Sequence, residues 1–171
     1  MKKILTFAIL CSMMILCTSC GYHMGNTMHP QVHNIAIGKV INDTAVYNAS
    51  VQLQQALAEQ FMFDGDLKVV NLSNAQSIIY CRIFNVGYSM HSGRAAAEDG
   101  VYRAAEWKTR VAVEFSVILP GEREPLIPRQ VVYGEAYFRQ QADLEIQRAR
   151  AVQMALRDAA KKIVRNTTEM W

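Results

Sequence analysis

This sequence has only four cysteines, and they include a single Cys-x-x-Cys pair. Cys17 and Cys20 have the Cys-x-x-Cys spacing of half a zinc or redox site, but the chain contains no second such pair. A structural zinc site needs four ligands and a redox motif needs a βαβ context, so both kinds of site are disfavoured. If the N-terminal cysteines are removed or consumed, only Cys81 remains and no intramolecular disulfide can form.

Motifs for catalysis or metal binding are also missing. The serines have no Gly-x-Ser-x-Gly around them. The acidic residues are scattered and form no His-Glu-x-x-His motif, and the chain contains no phosphate loop. His23, His29 and His33 are spaced too irregularly for a ligand set on one helix, and His91 stands alone. The sequence therefore predicts a protein that is not an enzyme and that binds no metal and no cofactor.

The charge balance gives no support for a nucleic-acid partner. The chain has 18 basic and 15 acidic residues, a net charge of +3. Without Lys2 and Lys3, which belong to the N-terminal segment considered next, 16 basic residues face 15 acidic ones, a net charge of +1. A nucleic-acid-binding domain carries a clear basic excess. We therefore expect no nucleic-acid partner.

The N-terminal segment has the layout of a bacterial secretory signal. Its first three residues include two lysines, residues 4–16 are apolar and uncharged, and the small residues Thr18 and Ser19 follow. The apolar run is shorter than the about 20 residues that span a bilayer, whereas a basic start, a short apolar run and small residues before a cleavage site define a signal peptide. Residues 1–19 are therefore predicted to be a signal peptide.

The residues at the end of this segment resemble the lipobox of bacterial lipoproteins. Thr18, Ser19 and Cys20 match the pattern, while Cys17 stands where leucine is usual. The resemblance implies cleavage before Cys20 and acylation of its thiol and amine. Gly21 replaces the aspartate expected of inner-membrane lipoproteins, which implies an outer-membrane location. We expect residues 20–33 to be a lipidated tether and residues 34–171 to be one domain.

Hydrophobic periodicity in that domain predicts an α+β fold. Period-two and apolar runs predict strands at residues 34–41, 66–72, 77–88, 106–119 and 129–139, and helical spacing predicts helices at 49–63 and 142–166. The expected architecture is a two-layer sandwich in which a mixed sheet of about four strands carries two helices packed on one face.

Three of these elements carry detailed expectations. Residues 77–88 have apolar side chains on both faces, with Val86 on the face of Tyr80, which predicts a strand covered on both sides. In the strand at 106–119 the apolar residues alternate with a charged face of Glu106, Lys108, Arg110 and Glu114. The last helix is expected to bury Ile146, Ala149, Val152, Leu156, Ala159 and Ile163.

Taken in order, the motifs after the signal resemble the LptE family of lipopolysaccharide-assembly lipoproteins. Members open with Cys-Gly-Tyr-His or a close variant, as residues 20–23 do, and continue with a strand that ends in an Asn-x-Thr-like turn, as Asn42-Asp43-Thr44 does. A helix, a Leu-Lys-Val-Val strand at Leu67–Val70 and an Ala-led strand from Ala75 follow. Gln76 stands where the family often has aspartate.

The resemblance implies a non-enzymatic protein on the periplasmic side of the outer membrane or inside the lumen of a large β-barrel translocon. Such a protein plugs the barrel, helps it assemble and takes part in lipopolysaccharide transport. Barrel lumens are polar, and the charged face of the strand at 106–119 suits one. The candidate lipopolysaccharide-binding residues are four cations able to contact phosphate: Arg94, Arg103, Lys108 and Arg110.

A second class of outer-membrane lipoprotein fits the same observations. Lipoproteins that activate a peptidoglycan synthase also place a small α/β domain on a lipid tether. Their tethers are usually long, whereas residues 21–33 are few, which favours a domain held near the membrane. This activator function stays the alternative to lipopolysaccharide transport.

Overall fold

The computed structural model describes residues 32–92, 106–139 and 143–169. In chain order the strands and helices are β1 Asn34–Asn42, α1 Ala49–Asp64, β2 Lys68–Val69, β3 Ser77–Ser92, β4 Glu106–Ile118, β5 Ile127–Arg139 and α2 Leu144–Thr168. A short 3-10 turn, Leu72–Asn74, joins β2 to β3. Neither helix combines the length and apolar character needed to cross a bilayer.

The strands form one mixed sheet in the order β2-β1-β3-β4-β5. β1 pairs in parallel with β2 and β3, while β3–β4 and β4–β5 are antiparallel pairs. The sheet has five strands rather than about four, because the segment predicted at 66–72 joins it as the two-residue edge strand β2. α1 packs on β1 and β2, α2 packs on β4 and β5, and the helices contact each other. The expected α+β class is confirmed.

The strand β4 buries the face that its sequence predicts. Thr109, Val111, Val113, Phe115 and Val117 are buried beneath the helices. The charged residues of this strand alternate with them and point to the opposite side of the sheet. One face of β4 therefore belongs to the core and the other remains accessible.

The strand β3 is covered on one side only, so the expected cover on both sides is wrong. Ile79, Cys81 and Ile83 are buried, whereas Tyr80 and Phe84 keep 40% and 41% of their surface exposed. The reason is that both helices lie on the same face of the sheet, and among the described residues none lies over the other face.

A β-bulge at Phe84 also changes the side on which later residues of β3 point. Ile83 pairs with Val113 and Asn85 pairs with Ala112, so two residues of β3 span one step of β4. Val86 consequently pairs with the buried Val111 and faces the helices. The assignment of Val86 to the face of Tyr80 was wrong because period-two alternation fails across a bulge.

The helix α1 has the buried stripe and the end that its sequence predicts. Leu53, Ala56, Leu57 and Phe61 are buried. The helix stops where Gly65 adopts a left-handed conformation with φ 83°, and its N–H donates to the carbonyl of Phe61 at 3.0 Å. A side chain other than glycine is strained at this φ, which explains the glycine at the C-cap.

The helix α2 buries less of its first turns than expected. Ile146 is 48% exposed and Ala149 is exposed, so both were wrongly placed in the buried stripe. Burial begins at Ala151 and continues along the stripe Val152, Ala155, Leu156, Ala159, Ala160, Ile163 and Val164. The first turns instead border an open cavity of about 420 Å³ that Ala149 helps to line.

A glycine lets α2 lie directly on the edge strand β5. A Cβ atom placed on Gly134 would lie 2.0 Å from the carbonyl oxygen of Ala155 and 2.8 Å from the Cβ of Ala159. The helix contributes small side chains at the same place, so strand and helix backbones approach closely. This contact fixes the distance between the sheet and α2.

Two side chains of α2 also bond to the free backbone edge of β5. The N–H of Glu135 donates to Asp158 Oδ2 at 2.9 Å. Lys162 Nζ donates to the carbonyl of Tyr133 at 2.7 Å and lies 2.8 Å from Asp158 Oδ2. An edge strand otherwise presents unpaired donors and acceptors, so the helix closes this part of the edge.

Candidate binding surface

The side of the sheet away from the helices, here called the outer sheet face, carries half-exposed apolar side chains. They keep between 40% and 49% of their surface and comprise Ile41, Tyr80, Phe84, Val131, Tyr133 and Tyr137. Tyrosine, phenylalanine and arginine are enriched in protein interfaces, and apolar exposure concentrated on one face is typical of a binding surface. The outer sheet face is therefore the candidate binding surface.

Two of the predicted cations meet on this face around one carboxylate. Lys108 Nζ lies 2.6 Å from Glu135 Oε2, and Arg110 contributes its NH2 at 2.7 Å and its Nε at 2.8 Å to Glu135 Oε1. Arg110 stands directly opposite Glu135 in the β4–β5 ladder. The hydrogen bonds from Lys108 and then Arg110 hold the pKa of Glu135 below its ordinary value. We call these three residues the Glu135 cluster.

Aromatic rings flank the Glu135 cluster. The guanidinium of Arg110 lies 5.4 Å from the ring centroid of Tyr133, and Lys108 Nζ lies 5.8 Å from that of Tyr137. His91 meets Tyr137 edge to face, with centroids 4.7 Å apart. A cation near the face of an aromatic ring is attracted by the ring's electrons. The rings therefore hold both cations in place above the sheet.

Two further ion pairs lie on the outer sheet face nearer β1. Arg82 Nε is 2.5 Å from Asp43 Oδ2, and Arg129 is 3.7 Å from Glu114 Oε1. Between them lies a shallow cavity of about 540 Å³, lined in part by Tyr80. Most charges of the face are thus paired with a neighbour on the same face.

The structure describes only some of the residues predicted for the site. Lys108 and Arg110 lie together on the outer sheet face, as alternation predicts. Arg94, Arg103 and Cys20 lie outside the described residues.

Sequence reasoning missed Glu135, Tyr133 and Tyr137. Their alternation along β5 could have placed them on one face with each other. Their position opposite Lys108 and Arg110 depends on the register of the hairpin, which the alternation does not give.

The described residues include neither a metal centre nor an activated thiol. They contain no group of three His, Cys, Asp or Glu side chains that could hold a metal ion. Cys81 is 3% exposed, and burial raises the pKa of its thiol to about 12, so at neutral pH it carries no thiolate. The ion pairs and aromatic rings of the outer sheet face can recognise charged or planar groups on a partner.

We expect Glu135→Gln to make the stability of the protein less dependent on pH in acid. Because the folded-state pKa is lowered, the carboxylate stabilises the fold fully above its ordinary value of 4.5 and loses this effect as pH falls through the folded-state pKa. At pH 7 the variant should be less stable by roughly 0.5–1 kcal/mol, the range of a good surface ion pair. Urea unfolding at several pH values measures the difference.

The matched control is Glu122→Gln in the exposed loop between β4 and β5. Its stability should stay within about 0.5 kcal/mol of the natural chain at pH 7. If the difference between Glu135→Gln and the natural chain persisted unchanged at pH 3, the ion pairs of Glu135 would not be its cause.

Three solved structures have a similar fold at low identity. PelC from Paraburkholderia phytofirmans, a dodecamer, is 12% identical with a TM-score of 0.51, and the match covers 84% of this chain and 94% of that one. Protein CT253 from Chlamydia trachomatis is 7% identical with a TM-score of 0.53, covering 78% and 94%. Protein XCC0632 from Xanthomonas campestris is 10% identical with a TM-score of 0.52, covering 81% and 87%. These likenesses concern the fold alone.

The sequence itself identifies the family. A comparison with curated protein sequences finds no match. The family model LptE, described as lipopolysaccharide-assembly, matches residues 32–167, which include every strand that the structure describes and nearly all of both described helices. The chain belongs to the LptE family of lipopolysaccharide-assembly proteins.

Proposed function

We propose that this protein is an outer-membrane lipoprotein that plugs a β-barrel translocon, helps the barrel assemble and takes part in lipopolysaccharide transport. Membership of the LptE family supplies the lipopolysaccharide-assembly role, which is not enzymatic. The role as a plug is our inference, and the character of the outer sheet face is the observation that carries it.

The outer sheet face is suited to burial against a polar wall. Four of its cations are matched by three carboxylates in ion pairs between 2.5 and 3.7 Å. A charge that already has a partner is less costly to remove from water than an isolated one. The half-exposed tyrosines add area that can pack while their hydroxyl groups bond to polar neighbours. The lumen of a transmembrane barrel is polar, so the two surfaces are compatible.

The anchor of this protein is proposed from the N-terminal sequence. Residues 1–19 would be removed as a signal peptide, and Cys20 would carry the lipid. Residues 20–33 would tether the domain at 34–171 to the outer membrane. Each acyl CH₂ buried in the bilayer adds about 0.8 kcal/mol, and two or more chains make a stable anchor.

Contact with lipopolysaccharide is proposed at the Glu135 cluster, together with Arg94 and Arg103 from the chain between β3 and β4. Arg110 is the more accessible cation of the cluster, because its side chain is 56% exposed and that of Lys108 only 19%. A lipid phosphate would compete with the Glu135 carboxylate for the same N–H donors. Arg110 is therefore the residue we expect a phosphate to reach first.

Site-specific photo-crosslinking in intact cells tests the contact with a barrel. A crosslinking amino acid in place of Tyr133, on the outer sheet face, should join the protein to one outer-membrane β-barrel. The matched control replaces Met154, which is 58% exposed on α2 and should crosslink less. Equal yields at the two positions, or no barrel among the products, would contradict a contact through the outer sheet face.

Depletion of the protein separates the two candidate functions. Cells without it should retain lipopolysaccharide in the periplasm and lose assembled barrel. Normal surface lipopolysaccharide combined with a defect in peptidoglycan synthesis would favour the synthase-activator function instead.

A further inference from the structure

Three large apolar side chains are exposed together in the chain segment around β2. Phe63 is 88% exposed, Met62 is 68% exposed and Leu72 is 57% exposed. The first two belong to the last turn of α1, and Leu72 opens the 3-10 turn after β2. We call these three residues the tether pole. Phe63 has the highest exposure of any large apolar residue that the structure describes.

The N-terminal segment of the chain enters the domain at the same end. Lys68 N–H donates to the carbonyl of His33 at 3.0 Å, and Lys68 pairs with Asn34 at the start of β1. Three residues, 65–67, separate the end of α1 from Lys68. Val32, the first described residue, therefore lies at the end of the domain that bears the tether pole.

The length of the tether restricts the distance between this end and a lipid anchor. Val32 follows Cys20 by 12 residues, which span at most about 40 Å when fully extended. A flexible chain of that length has a typical end-to-end distance of about 20 Å. Residues 21–31 contain no Asp, Glu, Lys or Arg, so charge repulsion does not extend them. An acylated Cys20 would thus keep the tether pole close to the bilayer.

We propose that the tether pole rests on the surface of the bilayer that holds the acyl chains, with Phe63, Met62 and Leu72 at the level of the lipid headgroups. Moving aromatic and other large apolar side chains from water to this depth lowers their free energy. The inference rests on acylation of Cys20, which belongs to the proposed function, and does not depend on the barrel.

The charges near the tether pole favour zwitterionic lipids. Asp64 follows Phe63 directly, and its carboxyl pKa is raised by burial and by the nearby Asp66 and Glu169. These three carboxylates outnumber the two cations nearby, Lys68 and Arg165, of which Arg165 lies 3.9 Å from Glu169. The acidic excess opposes an anionic surface, whereas the amines of phosphatidylethanolamine can pair with it. The bilayer that this end of the domain fits is therefore rich in phosphatidylethanolamine.

Fluorescence quenching in vesicles tests the contact. The full acylated chain is reconstituted into phosphatidylethanolamine–phosphatidylcholine vesicles that contain lipids spin-labelled at the headgroup. A fluorophore is attached through Ser73→Cys, beside Leu72, or through the control Ser89→Cys near the far end of β3; both serines are exposed. Cys81 is buried with a raised pKa and should not take the label. We expect several-fold stronger quenching at position 73 than at 89, and equal quenching would overturn the proposal.

Substitution of the apolar side chains identifies the cause of the quenching. Met62→Ser with Phe63→Ser should lower the quenching at position 73 to the level of position 89 and leave the melting temperature unchanged, because both side chains are exposed. Met154→Ser removes a similarly exposed apolar side chain from α2 and should change neither. Quenching that survives the double substitution would overturn the proposal.

Two other outcomes would also overturn it. Self-quenching of the label at position 73 in detergent, without vesicles, would show that a second copy covers the tether pole. Mass spectrometry that finds no acyl groups on Cys20 would remove the anchor itself. This measurement is independent of the quenching, so a failure of the anchor can be told from a failure of the tether pole.

Discussion

Gly134→Ala is expected to destabilise the protein by about 3 kcal/mol or more, the upper part of the range for forcing extra atoms into a packed core. The added methyl group would lie 2.0 Å from the Ala155 carbonyl oxygen and 2.7 Å from the Ala159 nitrogen. Both atoms belong to the backbone of α2, so the whole helix must move away from β5. Thermal unfolding should show a melting temperature lower by roughly 10 °C.

Gly87→Ala is the matched control, since it is the same substitution in the same sheet. A Cβ on Gly87 would meet no atom within 4 Å. Alanine is preferred over glycine inside a strand by roughly 0.5–1 kcal/mol, so this variant should be as stable as the natural chain or slightly more so. Similar losses for both variants would show that the approach of α2 to Gly134 is not the cause.

Cys20→Ala is expected to abolish acylation completely. The proposed cleavage and attachment both need the thiol of this cysteine, so the variant should accumulate as a precursor that takes up no labelled fatty acid. Without acyl chains the mature domain has no durable hold on the bilayer, and any processed chain should leave the membrane fraction on washing. Fatty-acid labelling with cell fractionation measures both effects.

Cys17→Ala is the control for this experiment. It removes a cysteine three residues earlier and should leave labelling and membrane attachment unchanged. Loss of labelling in Cys17→Ala with normal labelling in Cys20→Ala would move the lipid to Cys17 and shift the start of the mature chain.

The elements that the sequence predicts best are those whose burial is decided locally. β4 and α1 each have a single apolar face, and a single face can be buried in one orientation only. β3 has apolar residues on both faces, so its cover depends on where the helices pack, and these both lie on one side. The prediction for the first turns of α2 was wrong for a similar reason: Ala149 has helical spacing but lines an open cavity instead of the core.

The candidate site was predictable only in part, for a reason of register. Alternation along β4 places Lys108 and Arg110 on one face, and the structure confirms this. Their shared partner Glu135 is 25 residues beyond Arg110, across a hairpin whose pairing depends on the loop between the strands. A shift of one residue would turn Glu135 into the core. The sequence therefore places Lys108 and Arg110 on one face of the sheet, but it does not identify Glu135 as their partner.

The bonds from Asp158 and Lys162 to β5 have a consequence for assembly. In the middle of this edge, a strand from another chain would have to bond to the Glu135 N–H and the Tyr133 carbonyl, and both are already engaged by α2. At the opposite edge of the sheet, the outermost strand β2 has two residues. The helix thus hinders the addition of a strand at this part of β5, and under the proposed function this favours a barrel that closes on its own strands around a separate domain.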